Sequence, residues 1–227
     1  MTRIDVIRAA LAAVDGRRYL EIGVKDGECF DAVEAATKVA VDPRFAFRPP
    51  LGARLRTAFR ASSGTLYFGT TSDGFFAGPA RRLAPFDVVF VDGLHTYEQA
   101  YRDIVNALGV LRREGVVVVH DCNPASAAAA APTLDEAAST DGFNGEWNGD
   151  VYRAIVRLRT RDDLRVSVLD VDQGVGIVRN GVPAERLDLT VTEVDGLGYG
   201  AFARDRARLL DLRPRSDLPV LLAPADA

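Results

Sequence analysis

Apolar residues along the chain switch between two spacings. Ile4, Ile7, Leu11 and Val14 share one stripe of a helix over residues 4–14. After it, short apolar runs alternate with stretches of helical period. Tyr19-Leu20-Glu21-Ile22, Val39-Ala40-Val41, Leu66-Tyr67-Phe68 and residues 87–91 and 115–120 read as strands. Residues 28–37, 54–59, 72–78 and 97–112 read as helices or short turns between them, the last with Tyr101, Ile104, Leu108 and Leu111 at helical spacing. Strands separated by helices predict βαβ units, parallel pairing and right-handed crossovers.

The pattern breaks at residues 123–147, which hold Ala127–Ala131, Pro132, several Gly and Ser and no clear period. A loop this long in a compact domain is either functional or an exposed insertion. It starts two residues after Asp121, and both a lid and a bland insertion stay open. Beyond it, 150–159 reads as a helix with Asp150 as its N-cap. Leu164–Leu169 and Gly174–Arg179 form an antiparallel hairpin, and a charged helix lies around Ala201–Leu210, its arginines a solvated face. The expected fold is α/β: a doubly wound, mainly parallel, Rossmann-like sheet of seven strands ending in that hairpin. It is expected as one domain over 1–227, with an N-terminal helix (1–16), a core (17–180) and an extension (181–227).

Composition narrows the partners. The 227 residues are 48% hydrophobic and 26% charged, with a net charge of −4. That balance gives no electrostatic reason to expect nucleic acid or acidic lipid. No apolar stretch approaches the roughly 20 residues of a membrane span, and no signal-peptide core follows the N-terminus. Two cysteines, Cys29 and Cys122, have no metal-knuckle spacing. Cys29 is expected as a small buried residue in a reduced, cytoplasmic protein, with a symmetric homodimer as the default assembly.

Both histidines lie beside an aspartate just after an apolar strand, in Val-Asp-Gly-Leu-His (Asp92, His95) and Val-His-Asp-Cys-Asn (His120, Asp121). Ligands in open α/β sheets bind at the carboxyl ends of the strands. Two such pairs there suit a site that holds a divalent metal and removes a proton. Asp92 and Asp121 offer hard oxygen ligands for Mg²⁺, and an imidazole at His120 would favour Mn²⁺.

Glu21-Ile22-Gly23-Val-Lys-Asp-Gly27 joins the first strand to the next helix, Gly23 allowing a sharp turn and Gly27 a close helix start. Asp42 ends the second strand about 20 residues on, where a carboxylate accepts hydrogen bonds from ribose hydroxyls. The G-x-G-x-x-G spacing for a pyrophosphate is missing. A nucleoside without a diphosphate fits, which favours S-adenosylmethionine over NAD.

With YLEIGVKDGECF (19–30), VAVDP (39–43), FDVVFVDGLHTYEQAYRDI (86–104), GVVVVHDCNP (115–124) and WNGDVYRAIVRLR (147–159), the chain resembles a class I S-adenosylmethionine-dependent methyltransferase. It is most similar to a bacterial branch that includes metal-dependent sugar O-methyltransferases. The resemblance implies cofactor contacts at Glu21, Ile22, Gly23, Gly27, Asp42, Thr70, Thr71 and Asp92. It implies metal ligands at Asp92 and Asp121 and a general base at His95, and the imidazole of His120 is a further candidate ligand from its own chemistry. Methyl transfer to a hydroxyl of a small molecule, a sugar or a glycosylated metabolite, is the implied reaction. Three departures stand out: Thr70 replaces an acidic residue of many relatives, His120 stands where some relatives have an acidic residue, and Cys122 replaces an asparagine of others, which leaves Asn123 one position later. The alternatives are a metal-independent methyltransferase and a non-catalytic domain that binds the same cofactor. Trp147 reads as a loop anchor, and Tyr97 and Tyr101 as helix packing.

Overall fold

The computed structural model describes residues 1–58 and 64–224. Its strands are β1 (Arg18–Ile22), β2 (Thr37–Val41), β3 (Gly64–Phe68), β4 (Phe86–Val91), β5 (Leu111–Val119), β6 (Leu164–Leu169), β7 (Val175–Asn180) and β8 (Leu212–Arg213). The helices are α1 (Arg3–Ala13), α2 (Glu28–Ala32), α3 (Leu51–Ala58), α4 (Ser72–Ala77), α5 (Ala80–Leu83) and α6 (Tyr97–Leu108). They continue as α7 (Leu134–Ser139), α8 (Val151–Leu158), α9 (Val191–Asp195), α10 (Tyr199–Leu210) and α11 (Leu218–Leu222).

The sheet order is β3-β2-β1-β4-β5-β7-β6-β8. The first five strands pair in parallel, β7 lies antiparallel to both β5 and β6, and β8 runs parallel to β6. The sheet therefore has eight strands rather than the expected seven. The extra one is two residues long and has no alternation by which a pattern could reveal it.

Both faces of the sheet are covered, which explains the unbroken valine runs. Val88, Phe90, Val116 and Val118 pack with Val6, Ile7 and Ala10 of α1, Phe30 of α2 and Leu218 and Leu222 of α11. Their neighbours Val89, Val91, Val117 and Val119 face the other way, onto Tyr97, Ala100, Ile104 and Ala107 of α6 and Tyr152 and Ile155 of α8. The two-residue period of a strand puts successive valines into opposite layers.

Three expected helices change length. The helix expected over 28–37 stops at Ala32, because Val33 is extended (φ −93°, ψ 129°) and β2 begins at Thr37. The one expected over 97–112 stops at Leu108, and Leu111 opens β5, five residues before the valine run. The one expected over 54–59 is α3, which starts earlier, at Leu51; Phe59 lies outside the described residues. Among the described residues no helix is long and apolar enough to cross a membrane.

From β1 the chain winds outwards through β2 and β3, then returns to the other side of β1 with β4 and β5. The order reverses between β1 and β4, and such a switch point opens a crevice at the carboxyl ends of the strands.

Candidate functional site

A cavity of about 920 Å³ fills that crevice, within the usual range of small-molecule sites. Asp42, Pro43, Thr71, Ser72 and Asp73 line one end, and Asp92, His95, His120 and Asp121 the other.

The turn after β1 is shaped by the absence of a side chain. Gly23 has φ +87°, and a Cβ there would fall on the carbonyl oxygen of Asp92. Its N–H donates to the Val41 carbonyl at 2.9 Å, so the turn lies flat between the ends of β2 and β4. Asp42 accepts backbone N–H bonds from Lys25 (2.8 Å) and Arg44 (2.7 Å), one on each carboxylate oxygen. Each oxygen keeps lone-pair capacity for a ribose hydroxyl. Gly27, at φ +89°, lies beside the cavity rather than in its wall, and Asp26 and Glu28 line it instead. Thr71 lines the cavity and caps α4 by accepting the Gly74 N–H at 3.2 Å. Thr70 is not in the wall; Ser72 and Asp73 are. Ile22 and Glu21 form part of the floor. Glu21 is 1% exposed and accepts a hydrogen bond from the Tyr19 hydroxyl at 2.5 Å. Burial, only partly offset by that bond, pushes its pKa up to about 8.

At the other end charges converge. Asp92, His95 and Asp121 each present one ligand atom within 4.8 Å of the others. His95 Nε2 lies 3.4 Å from Asp92 Oδ1, and Nδ1 lies 3.3 Å from Asp121 Oδ2. Asp121 has φ +61°, a left-handed conformation that aspartate adopts more readily than most residues but at a cost. Burial favours neutral His95, but Asp92 and Asp121 outweigh it and raise the pKa. For Asp92, burial opposes ionisation, and His120 and His95 overcome it to hold the carboxyl far below the usual range. Two carboxylates beside an imidazole fit a small divalent cation.

His120 is placed otherwise than expected of a ligand. Its Nδ1 lies 3.3 Å from Asp121 Oδ2 and 3.5 Å from Asp92 Oδ1. Its Nε2 lies 2.9 Å from the Asp172 carbonyl oxygen. Burial favours the neutral ring, but Asp121, Asp172 and Asp92 push the pKa up to about 12. The group that could hold a metal is Asp92, His95 and Asp121, and His120 lies behind it with Nε2 turned to the Asp172 carbonyl. Asn123 faces away, donating to Asp170 and accepting from Arg206.

The residues missed by sequence reasoning arrive from remote loops. Asp172 sits in the β6–β7 turn, where Asp172, Gln173 and Gly174 are all left-handed. Asn148 donates to Asp121 Oδ1 (2.8 Å) and Gln173 Oε1 (2.9 Å). It belongs to Trp147-Asn148-Gly149-Asp150, which closes the long loop over the His95 turn. Trp147 stacks on His95 with centroids 5.2 Å apart and donates from Nε1 to Ala131 at 2.8 Å. A Cβ on Gly149 would collide with the His95 carbonyl. Asp150 does not cap α8 through its side chain; it accepts the buried Tyr97 N–H of α6 at 2.6 Å. Tyr97 and Tyr101 face α8, both under the Arg157 guanidinium. Leu134, Gly145, Glu146 and Trp147 line the cavity, so the loop forms one of its walls.

A family model described as a methyltransferase domain matches residues 20–122, which contain the glycine turn, Asp42, Asp92, His95 and Asp121. The expected resemblance to class I S-adenosylmethionine-dependent methyltransferases is met, and the chain is read as an enzyme of that kind. No protein of curated function matches the sequence. Among solved structures, the methyltransferase fold is shared with the O-methyltransferase TomG from Streptomyces achromogenes, in complex with S-adenosylmethionine. The two are 22% identical over 78% of each chain, with a TM-score of 0.54. It is also shared with an O-methyltransferase from Bacillus cereus in complex with S-adenosylhomocysteine, at 13% identity over 79% of this chain and 80% of that one, TM-score 0.53. MycE, a methyltransferase of the mycinamycin biosynthetic pathway solved with Mg, S-adenosylhomocysteine and mycinamycin VI, is 16% identical. That match covers 84% of this chain and 52% of MycE, with a TM-score of 0.50.

Proposed function

We propose that this methyltransferase moves the methyl group of S-adenosylmethionine to a hydroxyl oxygen of a small molecule, with a divalent cation at Asp92 and Asp121. The observation that carries the reading is the convergence of Asp92, His95 and Asp121 at one end of a cavity whose other end holds Gly23 and Asp42. Asp42 binds the ribose, the Gly23 turn lets the backbone pass close beneath the cofactor, and Asp92 and Glu21 face its amino-acid end. His95 takes the proton of the acceptor hydroxyl, oriented by Trp147 on one side and Asp121 on the other. Bound there, the cofactor supplies an electrophilic methyl on sulfur, and the cation offsets the carboxylate charge that otherwise holds His95 protonated. Magnesium in the MycE complex supports a metal of this class. The acceptor is a sugar or a glycosylated metabolite, and no membrane or nucleic acid takes part.

One observation favours a second reading. His120 already supplies positive charge between Asp92 and Asp121, so a metal-independent transfer driven by positioning is the rival. Calorimetric titration with S-adenosylhomocysteine tests the cofactor; no heat at millimolar ligand removes it. Turnover that survives thorough chelation selects the metal-independent reading, and turnover unchanged in His95→Ala removes the base.

A further inference from the structure

Charged groups line the cavity along its whole length. Asp42 and Asp73 stand beside the Thr71 and Ser72 hydroxyls at the β2–β3 end, and Arg3, Glu21, Glu28 and Asp92 lie beneath the glycine turn. Apart from the two histidines, the cationic residues in the wall among those described are Arg3 and Lys25. Lys25 belongs to the ribose end, its backbone N–H lying on Asp42. Arg3 reaches the opposite end from α1, between Glu28 at the start of α2 and Asp172 in the β6–β7 turn.

Its guanidinium is not the only tie of α1 to the β6–β7 turn. The Arg3 backbone N–H already donates to Asp172 Oδ2 at 2.7 Å. The Asp172 charge is shared with His120, and Glu28, 3.2 Å from Arg3 Nη2, has a side chain 67% exposed. The Arg3 Nε–H has no hydrogen-bond partner. A guanidinium with five N–H donors and two partly engaged carboxylates keeps capacity for a third. An α-amino acid carries carboxylate and ammonium one carbon apart, and the wall offers Arg3 for the first beside Asp92 and Glu21 for the second.

We propose that Arg3 binds the carboxylate of the cofactor's amino-acid tail, so that α1, outside the matched domain, completes the cofactor site. The assignment rests on the methyltransferase reading. Wild-type protein, Arg3→Ala and Lys25→Ala are titrated calorimetrically with two ligands. One is S-adenosylhomocysteine; the other is 5′-deoxy-5′-methylthioadenosine, the same nucleoside thioether without the charged tail. In Arg3→Ala the affinity for the first falls about ten- to a hundredfold, as for a lost charge-assisted hydrogen bond. The affinity for the second is unchanged, and Lys25→Ala alters neither. Equal binding of S-adenosylhomocysteine by wild type and Arg3→Ala overturns the assignment. So does an equal loss for both ligands, the mark of a structural role, or a tail-specific loss in Lys25→Ala alone. A wild-type protein that binds neither ligand removes the cofactor reading, and the Arg3 assignment with it.

Discussion

The end of the cavity proposed for the nucleoside is shaped by backbone contacts, and the end proposed for methyl transfer by charges that hold one another. At the first, Gly23 turns at φ +87° against Asp92, and Asp42 is held by two backbone N–H groups. At the second, Asp92, His95, His120, Asp121 and Asp172 hold one another with few backbone partners. Damage to the first end should therefore be steric and cost folding. Damage to the second should be electrostatic and cost chemistry.

Gly23→Ala is the harshest test of that contrast. Its Cβ would land on the Asp92 carbonyl in a left-handed conformation, so neither rotation nor a side-chain shift relieves it. A loss of about 3 kcal/mol or more is expected in urea denaturation, together with loss of S-adenosylhomocysteine binding. His95→Ala should spare the fold and the cofactor affinity while lowering kcat roughly 10²–10⁴-fold, the usual share of a general base. If the two variants behave alike, the division between the ends is wrong.

How far each end was legible follows from the same contrast. The nucleoside end is local in sequence: Glu21 to Gly27 is one turn, and Asp42 closes the next strand. The transfer end shows its first layer, because both Asp–His pairs follow apolar strands. Its second layer was hidden. Asn148 reaches Asp121 from 27 residues away and Asp172 reaches His120 from 52, and no local pattern encodes such contacts. That second layer bears on His120, whose Nδ1 faces Asp121 and Asp92 while its Nε2 is turned to the Asp172 carbonyl. Asp150 misled for a related reason. It occupies the N-cap position of α8, yet the buried Tyr97 N–H has the stronger need for an acceptor. The start of β5 was hidden by Arg112, Arg113 and Glu114, which interrupt the apolar run.

Glu21 lies where the two ends meet and should give a pH signature. Its pKa rises from 4.5 to about 8 in the folded protein, so the native state holds a proton that the unfolded chain has lost between those values. The contribution is complete below pH 4.5 and disappears as pH rises through 8. Stability should fall by up to about 1.4 kcal/mol per pH unit in that window. Glu21→Gln should flatten the slope in urea titrations from pH 5 to 8. An unchanged slope would mean that the carboxylate is already ionised, with Tyr19 as its donor.

Trp147 should give the smallest effect and the finest division of the transfer end. It is the only tryptophan, and it does two things: its Nε1–H ties the loop to Ala131, and its ring lies on His95. Trp147→Phe keeps a ring on the imidazole and loses the hydrogen bond, at a cost of about 1 kcal/mol. Trp147→Ala removes the stack as well and should cost roughly 0.5–1.5 kcal/mol beyond that, apart from the area it exposes. Circular dichroism must follow both denaturations, since the fluorophore is gone. Neither variant should change S-adenosylhomocysteine affinity, because Trp147 stacks on His95, the proposed base, and not on the residues around Asp42. Equal losses in the two variants would mean that the stack does not position His95. A fall in cofactor affinity would carry the boundary between the two ends past the histidine and into the loop.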